Sequence, residues 1–377
     1  MNFYKILNKE EIHHGLKYHD GLNIDPLPFN PNGDCKPGGI YFSREDILAF
    51  LNYGIWIRQV TLPEGETIYE NPGSPKKWKA KKVILGKRKR INLKVIKGLI
   101  KEGANIHAGH VDALMWSAEK GYFDIVKYLV ENGANIHAND DYALRLSAQK
   151  GYFNIVKYLV ENGANIHARN DYALRLAAEN GHFKIVKYLV ENGADIHARN
   201  DNALIWSAEK GHFEVVKYLV ENGADIHVRG DYALRLAARK GHLDIVKYIV
   251  ENGANIHARN DCALIWSAEK GHFEVVKYLI DKGANIHARN DCALMWSARK
   301  GYLDIVKYLV ENGANIHARN DYALILSAYY GHFEVVKYLV ENGANIHTDD
   351  DCALRLATEK GHLNVVEYLE GKGKEKL

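Results

Sequence analysis

Histidine is a common metal ligand, and this 377-residue sequence holds nineteen of them in an ordered pattern. His137, His167, His197, His227, His257, His287, His317 and His347 recur every 30 residues, with His107 one interval earlier. A ladder of imidazoles invites a metal hypothesis, but its spacing argues against one. Groups on successive packed helices stand roughly 8–10 Å apart, whereas ligands sharing a zinc ion each sit within about 2.0–2.1 Å of it. The ladder reads instead as hydrogen-bonding groups in a repeated loop. A second series, His182, His212, His242, His272, His332 and His362, succeeds a glycine, and tyrosine replaces it at 122, 152 and 302. A position that accepts tyrosine is not a ligand set. No metal or other cofactor is expected.

The four cysteines, at 35, 262, 292 and 352, are too few for a disulfide framework and lack the close pairs of zinc sites, which fits a reducing, intracellular setting. Cys262 and Cys292 occupy the same place in adjacent units. Their separation should exceed the roughly 4.4–6.8 Å between Cα atoms that a disulfide needs. There is no phosphate-cradling GxxxxGK, no GxSxG and no HExxH, so the chain is read as a non-enzyme. One weaker pattern points the other way. His13, His14, Tyr41 and Glu70 fall in the order that ADP-ribosyl-transfer folds use on successive strands, which leaves a transferase-like N-terminal domain as an alternative.

Two groups of cations could bind anions. Arg169, Arg199, Arg229, Arg259, Arg289 and Arg319 form a 30-residue ladder able to grip carboxylates or phosphates. An aspartate stands two residues after each, so much of this charge is expected to be answered locally. The run KKWKAKKVILGKRKR (76–90) is dense enough for a nucleic-acid patch or a nuclear-import signal, with Lys87, Arg88, Lys89 and Arg90 at its end. Its apolar members Trp78, Val83, Ile84 and Leu85 suggest instead a strand or cap packed on the first repeat, with solvated lysines outside. Stacking aromatics are not interleaved with the charges, which disfavours nucleic acid.

Something must position these groups, and two different grammars supply it. All seven prolines fall before residue 76. Residues 1–75 mix loop signals with short apolar runs (GIYF, YGIWIRQV) and one predicted helix, REDILAFLNYG, a small α+β pattern. From about residue 91 a strict period of 30 takes over, marked by GANIH or GADIH from 103 to 343. Position 1 of each unit is taken as the Asp that opens DYALRLAAENGHFKIVKYLVENGADIHARN at 171. Apolar or small residues then fill positions 4, 6, 8, 13, 15, 16, 19 and 20, making two short amphipathic helices around the glycine at position 11. The Asp is predicted as an N-cap, and the glycines at 11 and 23 as left-handed helix stops. Two such helices bury too little alone, so the units must stack. Residues 91–110 form the opening cap. Glu367 and Glu370 give the last repeat a polar outer face.

The phrase GHFEVVKYLVENGADIH, preceded by ALRLAA, resembles the ankyrin-repeat family over roughly residues 91–370. Two departures stand out. The unit is 30 residues rather than about 33, so the family's β-hairpin finger is expected to be stunted or lost. The family's TPLH becomes YALR, NALI or CALM. Proline-free, Asn-, Lys-, Ile- and Tyr-rich units of this length look like the ankyrin families of giant DNA viruses of amoebae, and HHGLKYHDGLNIDPLPFNPNGDCKPGGIYF resembles a segment that precedes arrays there.

The resemblance implies a right-handed, mainly α solenoid of about ten units with shortened loops, fronted by the α+β domain. The expected division is 1–75 for that domain, 76–90 for a basic junction and 91–377 for the solenoid, with full repeats over 111–350 and a closing cap over 351–377. Such arrays bind protein partners through a concave face. Position 5 corresponds to the family's TPLH histidine near that face, so Arg145, Arg175, Ile205, Arg235, Ile265, Met295, Ile325 and Arg355 are expected as a recognition strip. Position 6 belongs to the apolar series, which places Trp116, Trp206, Trp266 and Trp296 in the core. The whole is read as a monomeric, non-catalytic scaffold acting on host proteins, in the host cytoplasm or, through the basic run, the nucleus. No segment of signal-peptide or membrane-spanning character is seen.

Overall fold

The computed structural model describes residues 2–31, 36–71, 73–109 and 113–374. Cys35, part of the proline-rich loop and the opening of the first full repeat lie outside these. The chain divides into two compact units, residues 1–177 with 191–194, and residues 178–190 with 195–377.

Among the described residues of the first unit, apolar runs fold into ten short strands: β1 (Phe3–Leu7), β2 (Ile12–His13), β3 (Leu16–Lys17), β4 (Gly21–Ile24), β5 (Ile40–Phe42), β6 (Trp56–Thr61), β7 (Tyr69–Asn71), β8 (Lys77–Ala80), β9 (Lys82–Leu85) and β10 (Lys89–Arg90). One antiparallel sheet runs β1-β6-β9-β4 with β10 also on β6, another runs β5-β8-β7, and β2-β3 form a hairpin. Leu7, Ile40, Phe42, Val60, Ala80, Val83 and Leu85 make their shared core. The run 76–90 is therefore three strands of this domain rather than a junction. Val83 and Leu85 point inward while Lys82 and Ile84 face out. The predicted helix in REDILAFLNYG is a short 3-10 segment, Ile47–Tyr53.

This domain is bonded to the first helices. Tyr4 Oη donates to Glu102 at 3.0 Å, and the Asn105 amide donates to the Glu45 carbonyl at 2.6 Å. Asn92 caps the helix Leu93–Lys101 by accepting from the Val95 amide.

Each repeat is two helices with small residues between neighbours. In the repeats before the last, alanine at positions 3 and 8, leucine at 4 and Ser or Ala at 7 are almost wholly buried in the first helix, as are positions 15, 16 and 19 in the second. Phe213 meets Tyr248 of the next repeat edge-on at 5.7 Å, a contact repeated by Phe273 and Tyr308. The glycine at position 11 takes φ near +80°, as at Gly211 and Gly241. The position-12 histidine ring of the next repeat packs on it, with Nε2 of His242 3.0 Å from the Glu209 carbonyl and that of His272 2.9 Å from the Arg239 carbonyl. This histidine series joins repeat to repeat.

No strand occurs among the described residues of the repeats, so the hairpin finger is absent there. Its place is taken by a turn and then three consecutive left-handed residues at positions 29, 30 and 1, for example Arg289 (φ 53°), Asn290 (φ 58°) and Asp291 (φ 55°). Left-handed backbone costs non-glycine residues about 1–2 kcal/mol each. The offsetting bonds are side-chain ones. Asp261 Oδ1 lies 3.0 Å from Nδ1 of His257, at the end of the preceding repeat, and accepts from the Asn285 amide in the loop that ends its own repeat at 2.7 Å. The same pattern holds at Asp201, Asp231, Asp291 and Asp321. The expectation that this Asp caps its own helix is thus corrected. It is itself left-handed and buried, and its carboxylate bridges the loop before its helix pair to the loop after it.

Candidate functional site

The position-5 residues are not a surface strip. Arg145, Arg175 and Arg235 are buried, as are Ile205, Ile265, Met295 and Ile325, and only Arg355 in the last repeat is exposed. The physical reason lies in the left-handed turn five and six residues upstream, whose carbonyls point toward position 5. Arg235 donates from Nε to Gly230 at 2.9 Å and from Nη2 to Arg229 at 2.8 Å. Arg145, Arg175 and Arg355 do the same to positions 30 and 29 of their own turns. Each of Arg145, Arg175 and Arg235 also lies over the tyrosine at position 2 of its own helix, 4.6–4.8 Å from the ring centroid. Burial, then the nearby Arg169 charge, depresses the pKa of Arg145.

The position-29 arginines, by contrast, are exposed. Arg169 pairs with Asp140 at 3.0 Å. Arg229, Arg289 and Arg319 each donate from Nη2 to the carbonyl of the preceding position-29 residue, Arg199, Arg259 and Arg289. The aspartates two residues on do not answer this charge as expected. Among the described residues, Asp231, Asp261, Asp291 and Asp321 are committed to a histidine and a backbone amide instead.

With position 5 inside, the open face of the first helices presents positions 2, 6 and 9. Trp116 is buried as expected, but Trp206, Trp266 and Trp296 are half-buried. In the second unit the first helices Ala288–Lys300, Ala318–Tyr329 and Thr348–Lys360 border a groove of about 540 Å³. Trp296, Arg299, Arg319, Tyr322, Tyr329 and Tyr330 line it, with Met295 and Ile325 also contributing. The Arg299 guanidinium lies 4.9 Å from the Trp296 ring centroid and 5.2 Å from that of Tyr330, and donates to Tyr330 Oη at 3.0 and 3.1 Å. Tyr322 and Tyr330 remain about two-fifths exposed, at 41% and 40%. This is a preorganised set of Trp, Tyr and Arg, the side chains that dominate binding hot spots.

Most of these residues carry little signal in the sequence. Position 2 reads as filler, Trp296 reads as core, and Arg299 at position 9 belongs to neither the recognition strip nor the arginine ladder. One signal is present: position 9, Glu in most repeats and Gln at 149, becomes Arg at 239 and 299 and Tyr at 329.

The remaining candidates lie in the β domain or among the cysteines. The rings of His13 and His14 are 4.1 Å apart, and His13 and Tyr41 line one cavity in the β domain. Glu70 does not join them. Tyr41 pairs with Lys79, which pairs on its other side with Tyr69, whereas Glu70 pairs with Trp78 in the adjacent row, on the opposite face. Arg88 is held by Glu11 at 3.1 Å and covers Trp56. Lys87, Lys89 and Arg90 line a cleft of about 500 Å³ with Lys94. Cys262, Cys292 and Cys352 are free, and burial pushes the thiols of Cys262 and Cys292 above the ordinary range. No described helix is long and apolar enough to cross a membrane.

Comparison with known proteins places these repeats. The family profile for ankyrin repeats (3 copies) matches residues 88–170, 144–230, 174–260, 234–320 and 294–376. Three similar proteins come from Acanthamoeba polyphaga mimivirus. The ankyrin repeat protein R229 is 38% identical over 138 residues, which is 33% of this chain and 45% of that protein. The ankyrin repeat protein R868 is 35% identical over 129 residues, or 33% and 63%. The uncharacterized protein R869 is 36% identical over 133 residues, or 33% and 93%. The chain spans less than two thirds of the length of the first two. A repeat profile matched from 88 to 376, over helix pairs closed by left-handed glycines and joined through histidine and aspartate, means that the chain belongs to the ankyrin-repeat family.

Proposed function

We propose that the protein is a non-catalytic scaffold that binds a protein partner through the groove lined by Trp296, Arg299, Arg319, Tyr322, Tyr329 and Tyr330. The observation that carries this reading is the Arg299 clamp. A guanidinium fixed between Trp296 and Tyr330 presents charge and aromatic surface together at little further entropic cost on binding. The groove suits a partner segment that offers a carboxylate beside an aliphatic or aromatic side chain. Met295, Ile325 and Arg319 remain candidate contacts, with the exposed arginines Arg229, Arg259 and Arg289 continuing the cationic edge. The mimivirus relatives suggest an amoebal host protein as partner and the host cell interior as the place of action.

The test uses the protein's own alphabet. Trp296→Leu, Arg299→Glu and Tyr322→Asn each install a residue found at the same position in other repeats, so the triple variant should keep its helicity. Capture from amoeba lysate with the full chain should retain proteins that this variant loses. Equal retention would place recognition elsewhere.

A second reading rests on the cleft of Lys87, Lys89, Arg90 and Lys94, which form no ion pair among the described residues. It is an anion site. It predicts retention on immobilised polyphosphate that falls steeply with salt and disappears when Lys87, Lys89 and Arg90 are changed to Gln.

A further inference from the structure

We propose that Lys5 and the cavity beside it in the β domain form a covalent capture site for small apolar aldehydes, which Lys5 binds as an imine. Strand pairing sets the position of the amine. Lys5 on β1 lies opposite Arg58 on β6, and both side chains are buried. The nearby carboxylates are taken by guanidinium groups. Glu11 accepts from Arg58 at 2.8 Å and from Arg88 at 3.1 Å, and Asp20 is bonded to Arg58. Lys5 is left without an ion pair among the described residues. Its Nζ donates to the Tyr41 carbonyl at 2.8 Å and lies 4.7 Å from the Tyr18 ring centroid. The charged and titratable groups around it are Arg58 on β6, His13 on β2, Tyr18 after β3, and Tyr41 on β5, with Lys77 of β8 also on the cavity wall.

An ammonium so placed has lost its water and gained no anion, which disfavours its charge. Burial accordingly lowers the Lys5 pKa to about 7. His13 is held near 4 by burial, then by Lys5 and His14, so it is neutral at pH 7 and leaves the charge of the amine unanswered. A neutral amine is a nucleophile, and it has somewhere to act. Lys5 lines a cavity of about 220 Å³ whose walls are mostly apolar, including Leu7, Ile12, Phe42, Ile47 and Phe50. That volume admits a ring or a short alkyl chain. The walls favour an uncharged ligand.

In the capture step the lone pair of Nζ attacks the aldehyde carbon, forming a C–N bond and a carbinolamine. The carbonyl oxygen then leaves as water, carrying the two amine protons, and a C=N bond remains. No oxidant or reductant takes part, and hydrolysis reverses the step.

The test is reductive trapping on the full chain with benzaldehyde and cyanoborohydride, which delivers hydride to the imine carbon, and then peptide mapping. At pH 7 an ordinary lysine is only about 1 part in 2,500 neutral. Residue 5 should therefore be labelled at least about tenfold faster than the exposed Lys9 and Lys17, even after loss from occlusion and lower basicity. At pH 5 an amine with a pKa of about 7 is only about 1 part in 100 neutral, against about half at pH 7, so labelling of residue 5 should slow roughly fiftyfold, while its preference over Lys9 should close only as pH rises toward about 10. Lys5→Arg should remove the adduct. Because that change touches the core, Ile12→Trp supplies a second reading: Ile12 is exposed at the cavity wall, and a larger residue there should slow labelling of residue 5 but not of Lys9. Labelling of residue 5 no faster than Lys9 at pH 7, or unaffected by Ile12→Trp, would overturn the proposal.

Discussion

Arg289 donates from Nη2 to the carbonyl oxygen of Arg259, 2.9 Å away in the preceding repeat, and so stands in for a bond that Arg235 makes to the turn opening its own helix, at Arg229. The substitution of one bond for the other tracks position 5. Where position 5 is Arg, as at 145, 175, 235 and 355, the turn is braced from inside. Where it is Ile or Met, as at 205, 265 and 295, the next position-29 arginine reaches back to the same carbonyl. Both arrangements satisfy an acceptor exposed by three left-handed residues.

A double-mutant cycle tests this exchange. Arg235→Ile should cost about 1–3 kcal/mol, the range for a buried acceptor left unpaired, unless Arg259 swings back to Arg229 as its counterparts do in the Ile repeats. The Arg259→Ala change should then make Arg235→Ile more costly, with a coupling of at least about 0.5 kcal/mol. Because each repeat contacts only its neighbours, the effect of a substitution is local, and the readout is hydrogen exchange in the first helix Val228–Lys240. Strict additivity of the two changes would rule the exchange out.

The aspartate at position 1 predicts a difference between interior and last repeats. Asp261 is buried and joins His257 to the Asn285 amide. Asp351 keeps its histidine, at 2.7 Å, but its side chain is 48% exposed. Asp261→Ala should destabilise by about 1–3 kcal/mol, and Asp351→Ala by no more than about 0.5 kcal/mol. Denaturation monitored by circular dichroism separates them.

Glycine gives the cleanest steric prediction. Gly241 has φ +80°, and a Cβ there would lie 2.5 Å from Nδ1 of His272, whose ring is fixed by the Arg239 carbonyl. Gly253 has φ +100° and open space around it. Gly253→Ala should therefore cost only the backbone strain, about 1–2 kcal/mol, and Gly241→Ala distinctly more. Adding His272→Ala should recover the excess at Gly241 and leave Gly253→Ala unchanged, as judged by thermal melts of the paired variants.

The period of 30, the helix pairs and both glycine stops are legible in the sequence because each is a local pattern repeated many times. The left-handed turn is not. Asn and Asp favour that conformation locally, but nothing in Arg289 announces it, and the bonds that hold it come from Asp261 and its counterparts a repeat away. Without the turn the helix phase is displaced, so position 5 reads outward and position 6 inward. In the β domain the strands GIYF and YGIWIRQV are readable, whereas the run 76–90 misleads because its lysines mask the alternation that buries Val83, Leu85 and even Lys79. The groove is hidden for a different reason: Arg299 matters through its contacts with Trp296 and Tyr330, and single-position patterns carry no pairings.

Lys5 and His13 make the β domain's stability depend on pH in two windows. For Lys5 the folded pKa, about 7, lies below the unfolded value near 10.4. Between these the unfolded chain binds the extra proton, so stability rises as pH increases from about 7 toward 10 and the penalty is fully present below 7. For His13, with a folded pKa of about 4 against about 6.5 unfolded, the same sign holds lower down: stability falls as pH drops from 6.5 to 4. Lys5→Met should flatten the upper window, and His13→Asn the lower, in denaturant melts monitored by the fluorescence of Trp56 and Trp78. If Lys5→Met leaves the slope between pH 7 and 10 intact, the amine is charged in the folded protein and its burial is compensated by a group not identified around it.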